Sequence, residues 1–150
     1  MRKRIPPPIV MLTFAAFMFA TSVFLPNMRF KGYSIPHLGS FVLASGIAFL
    51  LYAAWSFHKK ETTVNPLNLN QSTALVTDGP FRITRNPMYL GMMLLLVGCA
   101  IKTAHVLNII WVWGFIIYMT HLQIKPEEVA MERLFGDEYR AYKKRVRRWI

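Results

Sequence analysis

The sequence predicts an all-α membrane protein, a bundle of about four transmembrane helices followed by a short amphipathic helical segment. Apolar residues make up 54% of the 150-residue chain and are gathered into long runs, while the charged residues, 17%, lie between the runs. Soluble amphipathic helices instead interleave the two classes around each turn. The net charge of +11 is then explained by basic loops on one side of a membrane rather than by a nucleic-acid-binding surface.

The first two predicted spans are uncharged. The first, Ile9–Leu25, follows the prolines of Pro6–Pro8 and is longer than the apolar part of a signal peptide, so we interpret it as a retained helix. The second, Leu38–Phe57, contains Gly46 among small residues that permit close helix contact. Each run is long enough to cross the hydrocarbon core of a bilayer.

The apolar run that begins at Met88 is too long for one straight helix and is predicted to form a hairpin. Its arms are Met88–Ile101 and Ala104–Leu122, with Lys102 near the reversal. The first arm is only roughly 21 Å long at 1.5 Å per residue. It therefore needs a thinned membrane or a lining of protein.

Glycine and proline mark further features of the second half. Gly91 and Gly98 are seven residues apart, so they share a helix face that permits close approach of a ligand or of another backbone. After the hairpin, Pro126 suits the first turn of a separate C-terminal helical segment and Gly136 suits a helix stop.

The basic residues provide a second test of this layout. With the N-terminus inside and alternating spans, only three of the 18 Lys and Arg residues fall outside, Arg29, Lys31 and Lys102, while all seven acidic residues fall inside. This distribution follows the positive-inside rule and puts both termini on the cytoplasmic face. We therefore expect an integral membrane protein whose functional residues face the cytoplasm.

Candidate functional residues lie in the two long cytoplasmic segments. Pro87 suits the first position of a helix, so Asn86 is expected to cap it, at a place where backbone N–H groups attract polar or anionic ligands. Phe81 and Tyr89 are suited to stacking on an aromatic ring. Spacing alone leaves an alternative open, in which Arg85 and Tyr89 only contact lipid headgroups. The terminal basic cluster, Lys143–Arg148, is also expected at anionic headgroups.

Three motifs occur in order in the second half of the chain. They are Leu75-Val76-Thr77-Asp78-Gly79-Pro80-Phe81, then Arg85-Asn86-Pro87-Met88-Tyr89-Leu90-Gly91, and, after the hairpin, Glu127-Glu128 with Phe135-Gly136-Asp137-Glu138-Tyr139. With this order and spacing, the region Thr73–Val146 resembles the isoprenylcysteine carboxyl methyltransferase family and its bacterial relatives, which share a motif with phospholipid methyltransferases.

The resemblance implies a single membrane domain, residues 1–150, that transfers a methyl group from S-adenosylmethionine to a lipid-like or isoprenoid-type acceptor, with a carboxylate among the candidate groups. The resemblance to bacterial relatives also implies a place in the bacterial inner membrane. The implied cofactor-binding residues are Thr73, Ala74, Leu75, Val76, Phe81, Asn86, Pro87, Met88, Tyr89, Glu127 and Glu128. Arg85 and Glu127 are the expected catalytic residues. The expected substrate contacts are His121 and Gln123, at the inner end of the fourth span.

One position departs from the family pattern. Prenylcysteine enzymes carry an arginine four residues before the first glutamate, where this chain has Gln123. A neutral amide is a poor carboxylate clamp, which argues against a prenylated cysteine as the acceptor. A metal site is not expected, because Cys99 is the only cysteine and the four histidines lack ligand spacing. Two alternatives stay open, an NADPH-dependent membrane reductase and a non-catalytic membrane scaffold with a degenerate cofactor pocket.

Overall fold

The computed structural model describes residues 5–30, 36–59 and 75–150, and every regular element in these ranges is helical. The α-helices are α1 Pro7–Phe24, α2 Pro36–Lys59, α3 Pro87–Thr103, α4 Asn108–Tyr118 and α5 Lys125–Arg145. Turns of 3-10 helix occupy Pro26–Met28 and Gly79–Arg82, and a π-helical turn, Met119–Ile124, joins α4 to α5. The predicted all-α class is confirmed.

Among the described residues, two helices are long and apolar enough to cross a membrane, α1 and the His37–Ser56 part of α2. Their large apolar side chains face outward, with Phe19 of α1 71% exposed and Phe41 of α2 70% exposed. Such surfaces are unfavourable in water and suit lipid. The helices α3 and α4 are shorter, with 17 and 11 residues. The predicted four spans and their orientation therefore stay a prediction.

Helices α1 and α4 run in opposite directions against each other. Near the start of α4, Trp111 Nε1 donates to Thr21 Oγ1 near the end of α1 at 2.8 Å. Beyond the other end of α4, Gln123 Nε2 donates to the carbonyl of Ile5, which precedes α1, at 2.6 Å. Between these contacts, the ring of Phe14 packs edge-on against neighbouring aromatic rings of α4. The start of α1 and the start of α5 consequently share one end of the bundle.

Helices α2 and α3 pack through glycines. A Cβ atom at Gly98 would lie 2.9 Å from the backbone nitrogen of Leu43 and 3.0 Å from the carbonyl oxygen of Gly39. A Cβ atom at Gly91 would lie 3.1 Å from the carbonyl oxygen of Gly46. Only glycine leaves room for this backbone approach. The sequence predicts that the face shared by Gly91 and Gly98 approaches either a ligand or another backbone. In the structure it approaches the backbone of α2.

The second arm of the predicted hairpin begins at Asn108 rather than at Ala104. Ala104 has φ 47°, in the left-handed region, and ends α3. The following residues pair with the loop after α1, since Phe30 N donates to Ala104 O at 2.9 Å and Val106 N donates to Met28 O at 3.2 Å. These backbone hydrogen bonds and the left-handed turn at Ala104 delay the start of α4 to Asn108, which explains why the predicted boundary was wrong.

The chain stays helical beyond Leu122, where a separate C-terminal segment was predicted. The π-helical turn leads from α4 directly into α5. This wider turn precedes Pro126, which has no N–H group for an ordinary helical hydrogen bond. The helix is interrupted at the predicted place, since Gly136 has φ 51° and ψ −122°. Glu127 and Glu128 are therefore positioned by the helix that continues from α4, which packs against α1.

The close contact of α2 and α3 predicts that Gly98→Ala lowers the midpoint of thermal unfolding in detergent, because overpacking costs about 1–3 kcal/mol. The matched control is Gly114→Ala, since a Cβ atom there would meet only ring atoms of Phe14, the nearest at 3.0 Å, and this ring can turn. Equal midpoints for the two variants would contradict the backbone contact.

Candidate active site

The Arg-Asn-Pro-Met-Tyr corner and the glutamate pair lie side by side. Tyr89 Oη donates a hydrogen bond to Glu127 Oε1 at 2.8 Å. Tyr89 lies in the first turn of α3 and is 6% exposed, while Glu127 lies in the first turn of α5. Because the two side chains touch, one ligand can contact both of them. The expected proximity of these two motifs is confirmed, and their roles stay predictions.

The carboxylate of Glu128 is buried between two guanidinium groups. Arg85 Nη2 lies 3.1 Å from Glu128 Oε1. Arg148 binds both oxygens, from Nε to Oε1 at 3.0 Å and from Nη2 to Oε2 at 2.7 Å. A carboxylate that is only 8% exposed requires such partners, and the bidentate arginine pair is a strong form of this contact. Direct contact of Glu128 with a cofactor therefore stays a prediction.

Arg85 is buried rather than extended toward lipid headgroups. Its side chain is 9% exposed, and its Nε and Nη1 atoms have no hydrogen-bond partner in the part of the chain that the structure describes. Unsatisfied buried donors are costly, and a guanidinium group suits carboxylate or phosphate oxygens. With Tyr89 buried as well, the alternative in which both residues only contact headgroups is wrong.

Asn86 is the N-cap residue of α3, but its side chain makes no capping hydrogen bond. Its Nδ2 instead donates to the carbonyl oxygen of Arg148 at 2.9 Å, and Thr84 Oγ1 donates to the same oxygen at 3.0 Å. The expected capping role of the Asn86 side chain was wrong: its Oδ1 accepts no hydrogen bond from the first turn of α3, and the amide is instead oriented by its Nδ2 contact with Arg148. Pro87 occupies the start of α3 as predicted.

The motif before α3 is held against the second part of α5. Val76 and Phe81 form a buried cluster with Tyr139 and Tyr142, and Leu75 packs on it. Tyr142 Oη donates to the carbonyl oxygen of Phe81 at 2.7 Å. The structure thus brings these three predicted binding residues close to the end of α5. Two further predicted residues, Thr73 and Ala74, lie outside the described residues.

Tyr139 lies among the charges of the site. Burial, followed by the charge of Glu128, raises the pKa of Tyr139 to about 12, against the opposing charge of the nearby Arg85 guanidinium group. Burial also raises the pKa of Tyr142. Both phenols therefore remain protonated at neutral pH and are hydrogen-bond donors rather than bases.

The remaining predicted residues lie in different surroundings. Met88 is half-buried and packs against the main apolar core. His121 is exposed, with Nδ1 3.4 Å from Lys125 Nζ. Gln123 is 1% exposed and its amide nitrogen is taken by the carbonyl before α1. The substrate contacts expected of His121 and Gln123 stay predictions.

Sequence reasoning missed two residues of this site, Arg148 and Trp149. The terminal basic cluster was expected at lipid headgroups, whereas Arg148 binds Glu128. Trp149 Nε1 donates to Thr120 Oγ1 at 3.0 Å, and its ring packs against the main core. A tryptophan that follows a basic run was the available signal, because so large a ring favours burial.

An apolar cavity of about 640 Å³ lies at the opposite end of the bundle. Its lining includes Val97, Ile101, Ile109 and Trp113, with His105 as the polar member. The His105 ring is held by the carbonyl of Leu25 at 2.9 Å. The lining carries no charged side chain, so this cavity suits hydrocarbon and is not the place for a charged nucleotide.

Comparison with known proteins gives one family match. A family model described as phospholipid methyltransferase matches residues 35–138. An "Uncharacterized protein" of Haemophilus influenzae (strain ATCC 51907 / DSM 11121 / KW20 / Rd) is 41% identical over 63 residues, which are 42% of this chain and all of that protein. No solved structure matches the chain. The family match includes Arg85, Tyr89 and both glutamates, and it ends before Tyr139 and Arg148.

The raised pKa of Tyr139 predicts how the folded chain responds to alkali. Free tyrosine ionises near pH 10, so the folded chain should lose stability as the pH rises from about 10 to about 12, where the unfolded chain releases this proton first. In an ultraviolet titration of the folded protein, Tyr139→Phe should remove a phenol that ionises late. In denaturant, the phenol missing from Tyr139→Phe should instead be one that ionises near pH 10. If the phenol missing from the folded variant also ionises near pH 10, the burial of Tyr139 among these charges is contradicted.

Proposed function

Because the chain belongs to the phospholipid methyltransferase family, we propose that it is an S-adenosylmethionine-dependent membrane methyltransferase with a lipid-like acceptor. The proposed cofactor site lies between the corner at Arg85–Tyr89 and the glutamates of α5. The observation that carries this proposal is the 2.8 Å hydrogen bond between Tyr89 and Glu127. It joins two motifs that a hairpin separates in sequence.

The residues present fit the chemical groups of this cofactor. Its amino-acid end carries a carboxylate, and Arg85 offers two buried nitrogen atoms, Nε and Nη1, that lack a partner among the described residues. Its ammonium group and ribose hydroxyls suit the carboxylate of Glu127 through charge-assisted hydrogen bonds. The cofactor, when bound, supplies a methyl group activated by a sulfonium centre. Phe81 is buried nearby and is the proposed neighbour of the adenine ring.

The contribution of the chain itself is positioning and exclusion of water. Tyr89 orients Glu127 through its hydroxyl group, and the π-helical turn holds α5 in continuity with α4. Fixing both reacting groups in line removes much of the entropic cost of a two-molecule reaction. The low exposure of Tyr89, Arg85 and Glu128 supports a site from which water is displaced when it fills.

We propose that the acceptor reaches this site from the bilayer and that the site faces the cytoplasm. The exposed apolar side chains of α1 and α2 support contact with lipid, and the distribution of basic residues supports the orientation. Among the histidines whose side chains the structure describes, His37 and His105 lie at the far end of the bundle and His121 is exposed. An acceptor that is already ionised at neutral pH, such as a carboxylate, needs no general base.

Calorimetry in detergent tests the proposal through the product of the donor. S-adenosylhomocysteine should bind to the chain and NADPH should not. Glu127→Gln should weaken the binding of S-adenosylhomocysteine by about tenfold or more, since hydrogen bonds to charged groups contribute about 1.5–3 kcal/mol. The midpoint of thermal unfolding should change little.

The matched control for this substitution is Glu132→Gln. Glu132 lies on the same helix and pairs with Arg140 and Lys143 at the surface, so its loss should leave the affinity unchanged. Binding of NADPH alone would favour a reductase, and binding of neither nucleotide would favour a non-catalytic scaffold. Equal effects of the two substitutions on affinity would count against Glu127 as a ligand.

A further inference from the structure

We infer that Arg148 is a positioning residue of the candidate active site, acting through Glu128 to keep the donors of Arg85 open to a ligand. The C-terminal segment, defined as residues 146–150, carries this arginine to the site. The inference rests on the proposed function. It goes beyond the family match, which ends at residue 138.

The backbone of the C-terminal segment is bound directly to the corner before α3. The amide nitrogen of Arg85 donates to the carbonyl oxygen of Arg147 at 3.0 Å. The carbonyl oxygen of Arg148 accepts hydrogen bonds from Thr84 Oγ1 at 3.0 Å and from Asn86 Nδ2 at 2.9 Å. Three consecutive residues of the corner therefore hold the segment in place.

Trp149 provides a second attachment that does not involve the charges. Its Nε1 donates to Thr120 Oγ1 in the π-helical turn at 3.0 Å, and its ring packs against the main apolar core. An anchored indole ring contributes substantial apolar burial. The segment thus has attachments besides the side chain of Arg148, so this side chain can be changed while the others hold the segment in place.

The pairing at Glu128 explains what the side chain of Arg148 does. Arg148 occupies both oxygens of Glu128, whereas Arg85 reaches Oε1 through Nη2 alone. Two nitrogen atoms of Arg85 consequently remain without a partner among the described residues. Without Arg148, the buried carboxylate of Glu128 would depend on Arg85 for its positive partner. Bidentate pairing of Arg85 with Glu128 would then occupy the Arg85 donors that a ligand could otherwise use.

The affinity for S-adenosylhomocysteine in detergent tests this role. Arg148→Met should weaken binding on the order of tenfold, which corresponds to about 1.4 kcal/mol. The matched control, Arg147→Met, should change affinity by less than about twofold, because its side chain is exposed. Arg148→Lys should restore only part of the affinity, since an ammonium group cannot reproduce the bidentate pair.

A second comparison separates this role from general destabilisation. If Arg148 acts through Glu128, replacing Arg148 should have no further effect once Glu128 is neutral, so the double variant Glu128→Gln with Arg148→Met should bind S-adenosylhomocysteine with the same affinity as Glu128→Gln alone. Additive losses would overturn the inference, and so would equal affinities of Arg148→Met and Arg147→Met. If Arg148→Met does not fold, Arg148→Lys replaces it in both comparisons. The same results then support or overturn the inference.

Binding of S-adenosylhomocysteine by the parent chain, which carries no substitution, separates failure of this inference from failure of the proposed function. If it binds S-adenosylhomocysteine and the Arg148 variants bind equally well, this inference alone fails. If the parent chain does not bind S-adenosylhomocysteine, the proposed function fails and the inference fails with it.

Discussion

A buried carboxylate must be paired, and the pairing of Glu128 determines how the charged end of this molecule is built. The side chain is 8% exposed, so its ionised form is stable only with positive partners at hydrogen-bonding distance. One partner, Arg85, precedes α3, and the other, Arg148, lies near the end of the chain. Satisfying one carboxylate therefore brings together the corner before α3, the start of α5 and the C-terminal segment.

The rest of the bundle holds this meeting point in position. Glycine contacts fix α3 against α2, and α4 continues through the π-helical turn into α5 without a flexible connection. The outward faces of α1 and α2 are apolar, while the ion pairs of Glu128 and the hydrogen bond of Glu127 lie at one end of the bundle. This division of the surface suits the proposed site, in which a polar nucleotide binds beside an acceptor from the lipid.

The sequence predicted the features that follow from composition and from local geometry. A helix that crosses a membrane needs about 20 apolar residues, and the long uncharged runs identified α1 and α2 on that basis. The family resemblance implied that Tyr89 and Glu127 line one cofactor site, and the structure brings the two side chains into contact. Pro87 was correctly expected at a helix start, because its ring fixes the backbone angle that this position requires.

The features that sequence analysis did not predict depend on contacts between distant segments. The start of α4 is set by backbone pairing of the loop at Ala104 with the loop after α1, and no local pattern reports such pairing. Asparagine is a common capping residue, but the amide of Asn86 is oriented by its hydrogen bond to the carbonyl oxygen of Arg148 and does not cap α3. Arg148 lies in a basic run that is typical of a solvated surface, and only the fold reveals its buried partner.

The most direct measurement is an experimental structure of the chain with S-adenosylhomocysteine bound. The account predicts that the nucleotide contacts both Tyr89 and Glu127, with its carboxylate at the open nitrogen atoms of Arg85. A nucleotide bound in the apolar cavity beside Trp113, or one that touches only one of the two motifs, would contradict it.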